Sequence, residues 1–348
     1  MKLILRSGAV TAAVGAGLFA AVLPTAPANA AGGTHVRCND TAGLVAAIDR
    51  ANTDGGRITL ASHCTYTLTA PDDGDDGLPE ITGNVTLSGS ETTIRRSPDA
   101  TQDFRIFHVA DGGKLTLKSL TVSGGRLTSG LGGGIRNEDG GTLNLNRAAV
   151  KNNRAVSGAG IYSLGGRINL DRSAVERNTA SGFGGGIVND GNGTMTMKGG
   201  SLHGNRALTS NGGGLENILG TASLESASVR GNTALVGGGI RNTNGSTLRL
   251  KSTTVRDNIA VTGAGISNNA STATLVRSLV TRNTAITSGG GIANEEGGQV
   301  TLTASKVVRN APDNCVPEGS VPGCTNPAAA VTPPASKLPP ADDIRPGK

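Results

Sequence analysis

A single pattern of about 26 residues is written seven times between Leu131 and Asn310. Each copy opens on GGGI or a near variant followed by x-Asn, continues through a short apolar alternation, and closes on Val-x-x-Asn. The apolar residue of the opening falls at Ile135, Ile161, Ile187, Leu215, Ile240, Ile266 and Ile292, with spacings of 26, 26, 28, 25, 26 and 26. The closing Asn falls at Asn153, Asn178, Asn205, Asn232, Asn258, Asn283 and Asn310, with spacings of 25, 27, 27, 26, 25 and 27. Two markers in step at a fixed period define a solenoid, in which each repeat buries its apolar face against its neighbours.

The kind of solenoid follows from what lies between the markers. Each repeat carries three short apolar clusters, as in Ile135, Leu143-Asn144-Leu145 and Val150. Leu-x-Leu is the two-residue period of a strand. Gly, Asn, Ser and Asp separate the clusters and tolerate the positive φ of tight bends. Three strands and three bends per repeat make one coil of a parallel β-helix, with coils ~4.8 Å apart. A leucine-rich repeat has a compatible period, but its helical return is opposed here by runs of three glycines. Both Asn columns are expected to be structural. An inward Asn satisfies backbone groups that a bend leaves unpaired, and bonds to the Asn one coil away.

The flanks differ from the repeats. Residues 1–30 read as an export signal: Lys2 and Arg6, an apolar run from Ala9 to Leu23, then Ala28-Asn29-Ala30 as a cleavage site. Removing them takes two cations from the formal charge of +6, leaving +4. No other stretch is suited to cross a membrane, so a secreted, extracellular protein without membrane insertion is expected. The four cysteines fall at the two ends, and Cys38–Cys64 and Cys315–Cys324 are the economical pairs for an oxidising compartment. Zinc is the alternative, given His35 and His63, although the spacing matches no zinc finger. Residues 31–56 read as an N-terminal cap. In it, Asp40 or Thr41 caps a helix whose Leu44, Val45, Ile48 and Ala51 share one face, and Gly55-Gly56 end it. Residues 57–123 form less regular coils, with strand candidates at Ile58–Leu60, Tyr66–Leu68, Val85–Leu87, Ile106–Val109, Leu115–Leu117 and Leu120–Val122. Residues 124–310 are the regular repeats. Residues 311–326 form a disulfide-closed C-terminal cap, and 327–348 a disordered tail, since 311–348 holds 9 of the 14 prolines. The expected fold is all-β: a single right-handed parallel β-helix of about ten coils, with a capping helix and a Pro-rich tail.

Repeated GGGI and V-x-x-N behind an export signal resemble secreted right-handed parallel β-helix repeat proteins. They are similar to the GG-[AI]-I and F-x-x-N repeats of polymorphic outer-membrane proteins, and the small-residue, basic composition resembles actinobacterial exported members. Gly77-Leu-Pro-Glu-Ile-Thr-Gly-Asn-Val-Thr-Leu87 looks like the opening segment of such proteins. The resemblance covers Cys38 to Cys324 and implies architecture rather than activity. Polymorphic outer-membrane proteins end in a membrane barrel, for which this chain shows no counterpart. Pectate lyases and polygalacturonases share the superfold, but a fold does not transfer a function.

Carbohydrate chemistry on such a scaffold needs groups that are scarce here. A lyase needs an Asp-rich calcium site and a basic residue, and a hydrolase needs paired carboxylates. The chain has no Trp, and beyond the leader only Tyr66, Phe104, Phe107, Tyr162 and Phe183 are aromatic. The outward residues of the GGGI strands are Arg136, Tyr162, Val188, Glu216, Arg241, Ser267 and Ala293, with no carboxylate cluster. Asp190 and Glu216 lie on neighbouring coils. They are read as solvated surface, with a catalytic pair as the alternative. Asp72, Asp73, Asp75 and Asp76 are read as an exposed acidic turn, with weak calcium binding as the alternative, because the spacing is not that of a defined calcium loop. No cofactor or metal site is expected.

One outward feature recurs. The two positions after the third-strand apolar residue hold Lys151, Arg177, Arg230, Arg256, Arg282 and Arg309 in six coils and His203 in the seventh. Stacked coil on coil, they would form a basic ridge, partly neutralised by Glu176 and Asp257. It is read as a strand edge kept soluble by long cationic side chains, with an anionic polysaccharide or cell-wall polymer as the partner if it binds. Nucleic acid is disfavoured because no stacking aromatics accompany the charge. The functional expectation is a non-catalytic exported β-helix, adhesin-like or structural, that binds an extracellular polymer. A polysaccharide lyase or hydrolase is the alternative.

Overall fold

A computed structural model describes residues 33–328 and 332. The proposed export signal and nearly all of the proposed tail lie outside the described residues. The described chain is a parallel β-helix of about ten coils with about 27 residues per coil and one helix. Its coils stack in parallel register. Along the first side, Phe107, Ile135, Ile161, Ile187, Leu215, Ile240, Ile266, Ile292 and Cys315 align one above the next. On the second side Leu143-x-Leu145 aligns with Ile168-x-Leu170 and Met195-x-Met197. On the third side Val150, Val175, Leu202, Val229, Val255, Val280 and Val307 align. These inward residues form one continuous buried core.

Each of the three bends is solved by a ladder running along the helix axis. At the bend after the third side, both the backbone N–H and Nδ2 of Asn153 donate to Oδ1 of Asn178 at 3.0 Å. The pattern repeats through Asn205, Asn232, Asn258, Asn283 and Asn310. Each Asn also donates to a third-side carbonyl of the preceding coil, as Asn232 Nδ2 does to Leu202 O at 3.0 Å. After the first side, Asn189, Asn217, Asn242, Asn268 and Asn294 are linked Nδ2 to Oδ1 at 2.7–2.9 Å. Both Asn columns are therefore the structural elements expected from their spacing. The bend between the second and third sides has a hydroxyl ladder that the sequence did not advertise. There, backbone N–H groups donate to Ser173, Thr253, Ser278 and Ser305 of the next coil.

The ends are built differently. The helix Thr41–Asp54 is capped by Asp40, whose carboxylate accepts from Gly43 N at 2.8 Å. It buries Leu44, Ala47, Ile48 and Ala51 against the first coil; Ala47 takes the core position and Val45 is half-buried. Cys38–Cys64 and Cys315–Cys324 are both formed. In the N-terminal coils the second and third sides are carried by single long strands, Asn84–Arg96 and Lys114–Ser123, the first with a register shift between Ser88 and Thr92. The segment Thr92–Ile94, absent from the sequence-based strand candidates, supplies that coil's third side.

One feature was not foreseen. Between the inward Asn and the glycines, five of the regular coils leave the three-sided path and form a short extra strand, and a sixth joins them through isolated bridges at Thr233 and Val236. Arg154–Ala155, Thr179–Ala180 and Arg206–Ala207 stack as one small parallel sheet, and Ile259–Thr262 and Thr284–Ser288 as another. This flange has its own small apolar clusters, one of Leu127, Ala155, Ala159 and Ala180 and one of Ala260, Ala264 and Ala285. It returns over the outer face of the first side. Gly158 and Gly212, in the left-handed region, abut Tyr162 and Glu216 so closely that a Cβ on either would lie under 3 Å from the neighbouring residue.

Candidate functional site

Outward residues of the first side form one column: His108, Arg136, Tyr162, Val188, Glu216, Arg241, Ser267, Ala293 and Val316. Its charged members are ion-paired, Glu216 with Arg241 inside the column and His108 and Arg136 with carboxylates beside it. At the N-terminal end, His108 Nδ1 lies 2.9 Å from Asp76 Oδ2 and 3.4 Å from Glu80 Oε1, and its Nε2 lies 3.1 Å from Glu138 Oε1. A ring with carboxylates at both nitrogens donates to both only as imidazolium. Burial pushes the His108 pKa down, but the hydrogen bond and charge of Asp76 and the bond to Glu138 outweigh it, so it is raised. Burial likewise pushes Asp76 up, but His108 and Arg105 outweigh it and hold Asp76 below its ordinary value. Arg105 forms an ion pair with Asp76, and Arg136 one with Glu138 at 2.5 Å. Asp76 is thus drawn out of the acidic turn into an ion network, which leaves that turn short of one of its four carboxylates as a calcium loop. His108 carried no motif that marked it in the sequence; its partners come from neighbouring coils.

The middle of the column holds the two carboxylates that the sequence places on adjacent coils. Tyr162 Oη donates to Asp190 Oδ2 at 3.3 Å. Burial first, and then Asp190, push the Tyr162 pKa up to about 12. Glu216 is not the solvated surface residue that its outward position suggests, because the flange covers it and leaves it 1 % exposed. Its Oε1 lies 3.9 Å from Arg241 Nη1, and its Oε2 is buried without a hydrogen-bond partner. Burial first pushes its pKa up, to about 8, with Arg241 opposing and Asp190 adding to the rise. At neutral pH Glu216 is a buried neutral acid. A group so enclosed does not present a reactive carboxylate to a polymer.

The six predicted cations of the ridge fall in two files rather than one. Lys151, Glu176, His203, Arg230, Arg256, Thr281 and Val308 align as outward residues of the third side. Arg177, Arg282 and Arg309 occupy the bend beside them, all with left-handed backbone. Arg282 Nε binds Asp257 Oδ1 at 2.8 Å, Arg256 binds the same carboxylate, and Arg177 lies 4.0 Å from Glu176. Among the described residues no ion pair engages Lys151, Arg230 or Arg309. Arg230 Nη1 is 3.5 Å from His203 Nε2. The edge is therefore cationic in excess but interrupted at Glu176 and Asp257.

Among the described residues no group of three or more His, Cys, Asp or Glu is placed to hold a metal ion. None of the described helices is long and apolar enough to cross a membrane. The two disulfides fit an oxidising environment. The class that fold and surface define is the parallel β-helix, the architecture of pectate-lyase-like proteins. Comparison with protein-family models, curated proteins and solved structures returns no match.

Proposed function

We propose that this protein is an exported, non-catalytic β-helix whose third-side edge binds an anionic extracellular or cell-wall polymer, such as an acidic polysaccharide. The observation that supports the reading is the charge excess on that edge: six cations against Glu176 and Asp257, with Lys151, Arg230 and Arg309 outside any ion pair among the described residues. Coils repeat at ~4.8 Å, so an extended polymer lying along the axis meets a new set of side chains at each coil. Several weak exposed contacts in series then add up, although each alone is worth little. Burial of Glu216 beneath the flange favours binding over cleavage.

The test is retention of the chain from Ala31 onward on an immobilised acidic polysaccharide. Arg230, Arg256 and Arg282 changed together to Ser should abolish retention with the far-ultraviolet spectrum unchanged. Retention of the parent should fall steeply with salt, because exposed charges are screened. A triple variant retained as well as the parent would end the proposal, as would shortening of the polymer by the parent chain.

A further inference from the structure

The flange is longer and more weakly held over Glu216 than on the coils beside it. From Ala207 to Leu215 the chain takes eight positions, against seven from Ala180 to Ile187 in the coil before and six from Ala234 to Ile240 in the coil after. The additional length lies in segment 208–212. Gly212 closes that segment with a φ of +67° and sits directly over the Glu216 side chain. The two apolar clusters of the flange lie on either side of this coil, and neither includes Ala207 or Leu208. Arg206–Ala207 pairs as a strand with Thr179–Ala180, but toward the next coil only isolated bridges hold it, Arg206 to Thr233 and Asn211 to Val236.

Beneath this segment a carboxylate would find no donor. Glu216 Oε2 is buried without a hydrogen-bond partner, and Arg241 Nη1, 3.9 Å from Oε1, is beyond hydrogen-bonding distance. Asp190 on the preceding coil, which takes the Tyr162 hydroxyl, adds like charge. Arg206 is the one charged residue in flange segments 179–185, 206–213 and 233–238, and it already has a partner. A protonated Glu216 is neutral and sits under the segment without penalty. An ionised one is a buried charge with no hydrogen bond, which is costly until water reaches it. The backbone bonds that seat the segment, such as Thr209 N to Ser181 O at 3.2 Å and Leu235 N to Ser210 O at 2.8 Å, join exposed or half-buried residues. Water replaces such bonds at small net cost.

We propose that segment 208–212 is a lid gated by the Glu216 proton, shut while the carboxyl is protonated and opening locally, without unfolding of the solenoid, when the proton leaves. Opening lets water reach Glu216 and presents it with Arg241 on the outer face of the first side. The sign of the dependence follows from linkage. The closed state holds a proton that the open state releases, so closure is fully favoured below the ordinary carboxyl value of 4.5 and is lost as pH rises to about 8. One proton per opening makes the opening equilibrium rise about tenfold per pH unit across that window and level off above it. The lid lies apart from Arg230, Arg256 and Arg282, so it stands or falls separately from the cationic edge.

Residue-resolved hydrogen exchange of the full chain, corrected for the intrinsic dependence of exchange on pH, tests the lid. The amides of Thr209 and Gly212 should lose protection about tenfold per pH unit up to about pH 8 and then level off. They should stay less protected than those of Asn205 and Asn232 in the amide ladder, whose exchange reports unfolding of the coil itself. Val261, whose N–H donates to Leu235 O in a flange segment that does not cover Glu216, should show no slope. Glu216→Gln, neutral at every pH, should abolish the slope at Thr209 and Gly212. Gly212→Ala, whose Cβ would lie under 3 Å from Glu216, should hold the lid ajar, lowering protection in acid and flattening the slope. That variant and the pH profile of the parent keep the test decisive if the Glu216→Gln chain does not fold. A parent without the slope, or a slope that persists in Glu216→Gln, would overturn the proposal. So would Thr209 and Gly212 amides as protected as those of Asn205 and Asn232 at every pH, because Glu216 would then meet water only when its coil unfolds.

Discussion

The coils before residue 124 and the coils after it enclose the same kind of core but hold their bends by different means. In the regular coils the polar groups inside the three-sided path are amides and hydroxyls, neutral at every pH, and the buried Glu216 lies outside that path beneath the flange. In the N-terminal coils the Asn position of the third bend is taken by Gly125, whose N–H donates to Asn153 Oδ1 of the next coil. All three of the largest buried side chains, Tyr66, Phe104 and Phe107, lie there. So do the buried Arg96 and Arg105, with the half-buried Asp76 and His108. A repeated bend with a repeated amide stacks without further adjustment, since each Asn finds the same partner above and below. Where the repeat is imperfect, aromatic bulk fills the volume, and ion pairs specific to one place satisfy the polar groups.

The largest effect should come from breaking the amide ladder in its middle. Asn232 accepts twice from Asn205 and donates to Leu202 O and Asn258 Oδ1. Asn232→Ala leaves buried partners unsatisfied on both adjacent coils, at roughly 1–3 kcal/mol each. A loss of about 5 kcal/mol in urea unfolding is expected. Because a solenoid coil touches only its neighbours, hydrogen exchange should rise first around residues 205 and 258 and least in the N-terminal coils. A uniform rise along the chain would mean that the two regions are not energetically distinct.

The second effect separates the regions by pH. Glu216 has a folded pKa of about 8 against an ordinary 4.5. The folded chain holds a proton that the unfolded chain has released, so stability falls as pH rises from about 4.5 to about 8. At 1.36 kcal/mol per unit this approaches about 5 kcal/mol. His108 is raised above its ordinary 6.5. Its stabilisation is complete below pH 6.5 and is lost as pH rises through its folded value. The fall between pH 4.5 and 6.5 therefore belongs to Glu216, and the fall above 6.5 to both groups. Glu216→Gln should flatten the lower window and leave the His108 part of the upper one, whereas His108→Gln should leave the lower window intact. Denaturant midpoints at half-unit pH steps would show it. A lower window that persists in Glu216→Gln would overturn the burial argument.

The sequence carries the ladder and hides the network for the same physical reason. Asn153 to Asn310 recur at one period, so the stacking of identical amides can be read from spacing alone. The disulfide pairs and the helix face were also legible, apart from the exchange of Val45 for Ala47. His108 meets Asp76 and Glu138 across separations of 32 and 30 residues, and no repeat marks either pairing. Glu216 sits at an outward position by strand alternation, and only the path of the flange over Gly212 buries it. The cations of the ridge were legible by position, but not their division into two files. That division is set by the left-handed backbone at Arg177, Arg282 and Arg309, which turns them off the strand face.

The smallest effect would repair a flaw in the regular region itself. In the first-bend ladder Ser163 stands where the pattern asks for Asn. Asn137 Nδ2 donates to Ser163 Oγ at 2.9 Å, but the shorter side chain does not reach onward, and Asn189 Oδ1 is left buried without a partner. From Asn189 onward every amide donates to the next. Ser163→Asn would accept from Asn137 and donate to Asn189, joining the broken ladder. A gain of about 1 kcal/mol is expected, the net worth of a buried hydrogen bond that satisfies an orphaned acceptor. Asn137 Oδ1 is orphaned for a different reason: the coil before it presents Val109 at the same register position. There the amide column of the regular region meets the apolar core of the N-terminal coils. A melting temperature that rises in Ser163→Asn would show that the ladder is limited by its gaps. One that falls would show that Ser163 is small because the interior at that coil has no room for an amide, and the regular region would then be less uniform than its period implies.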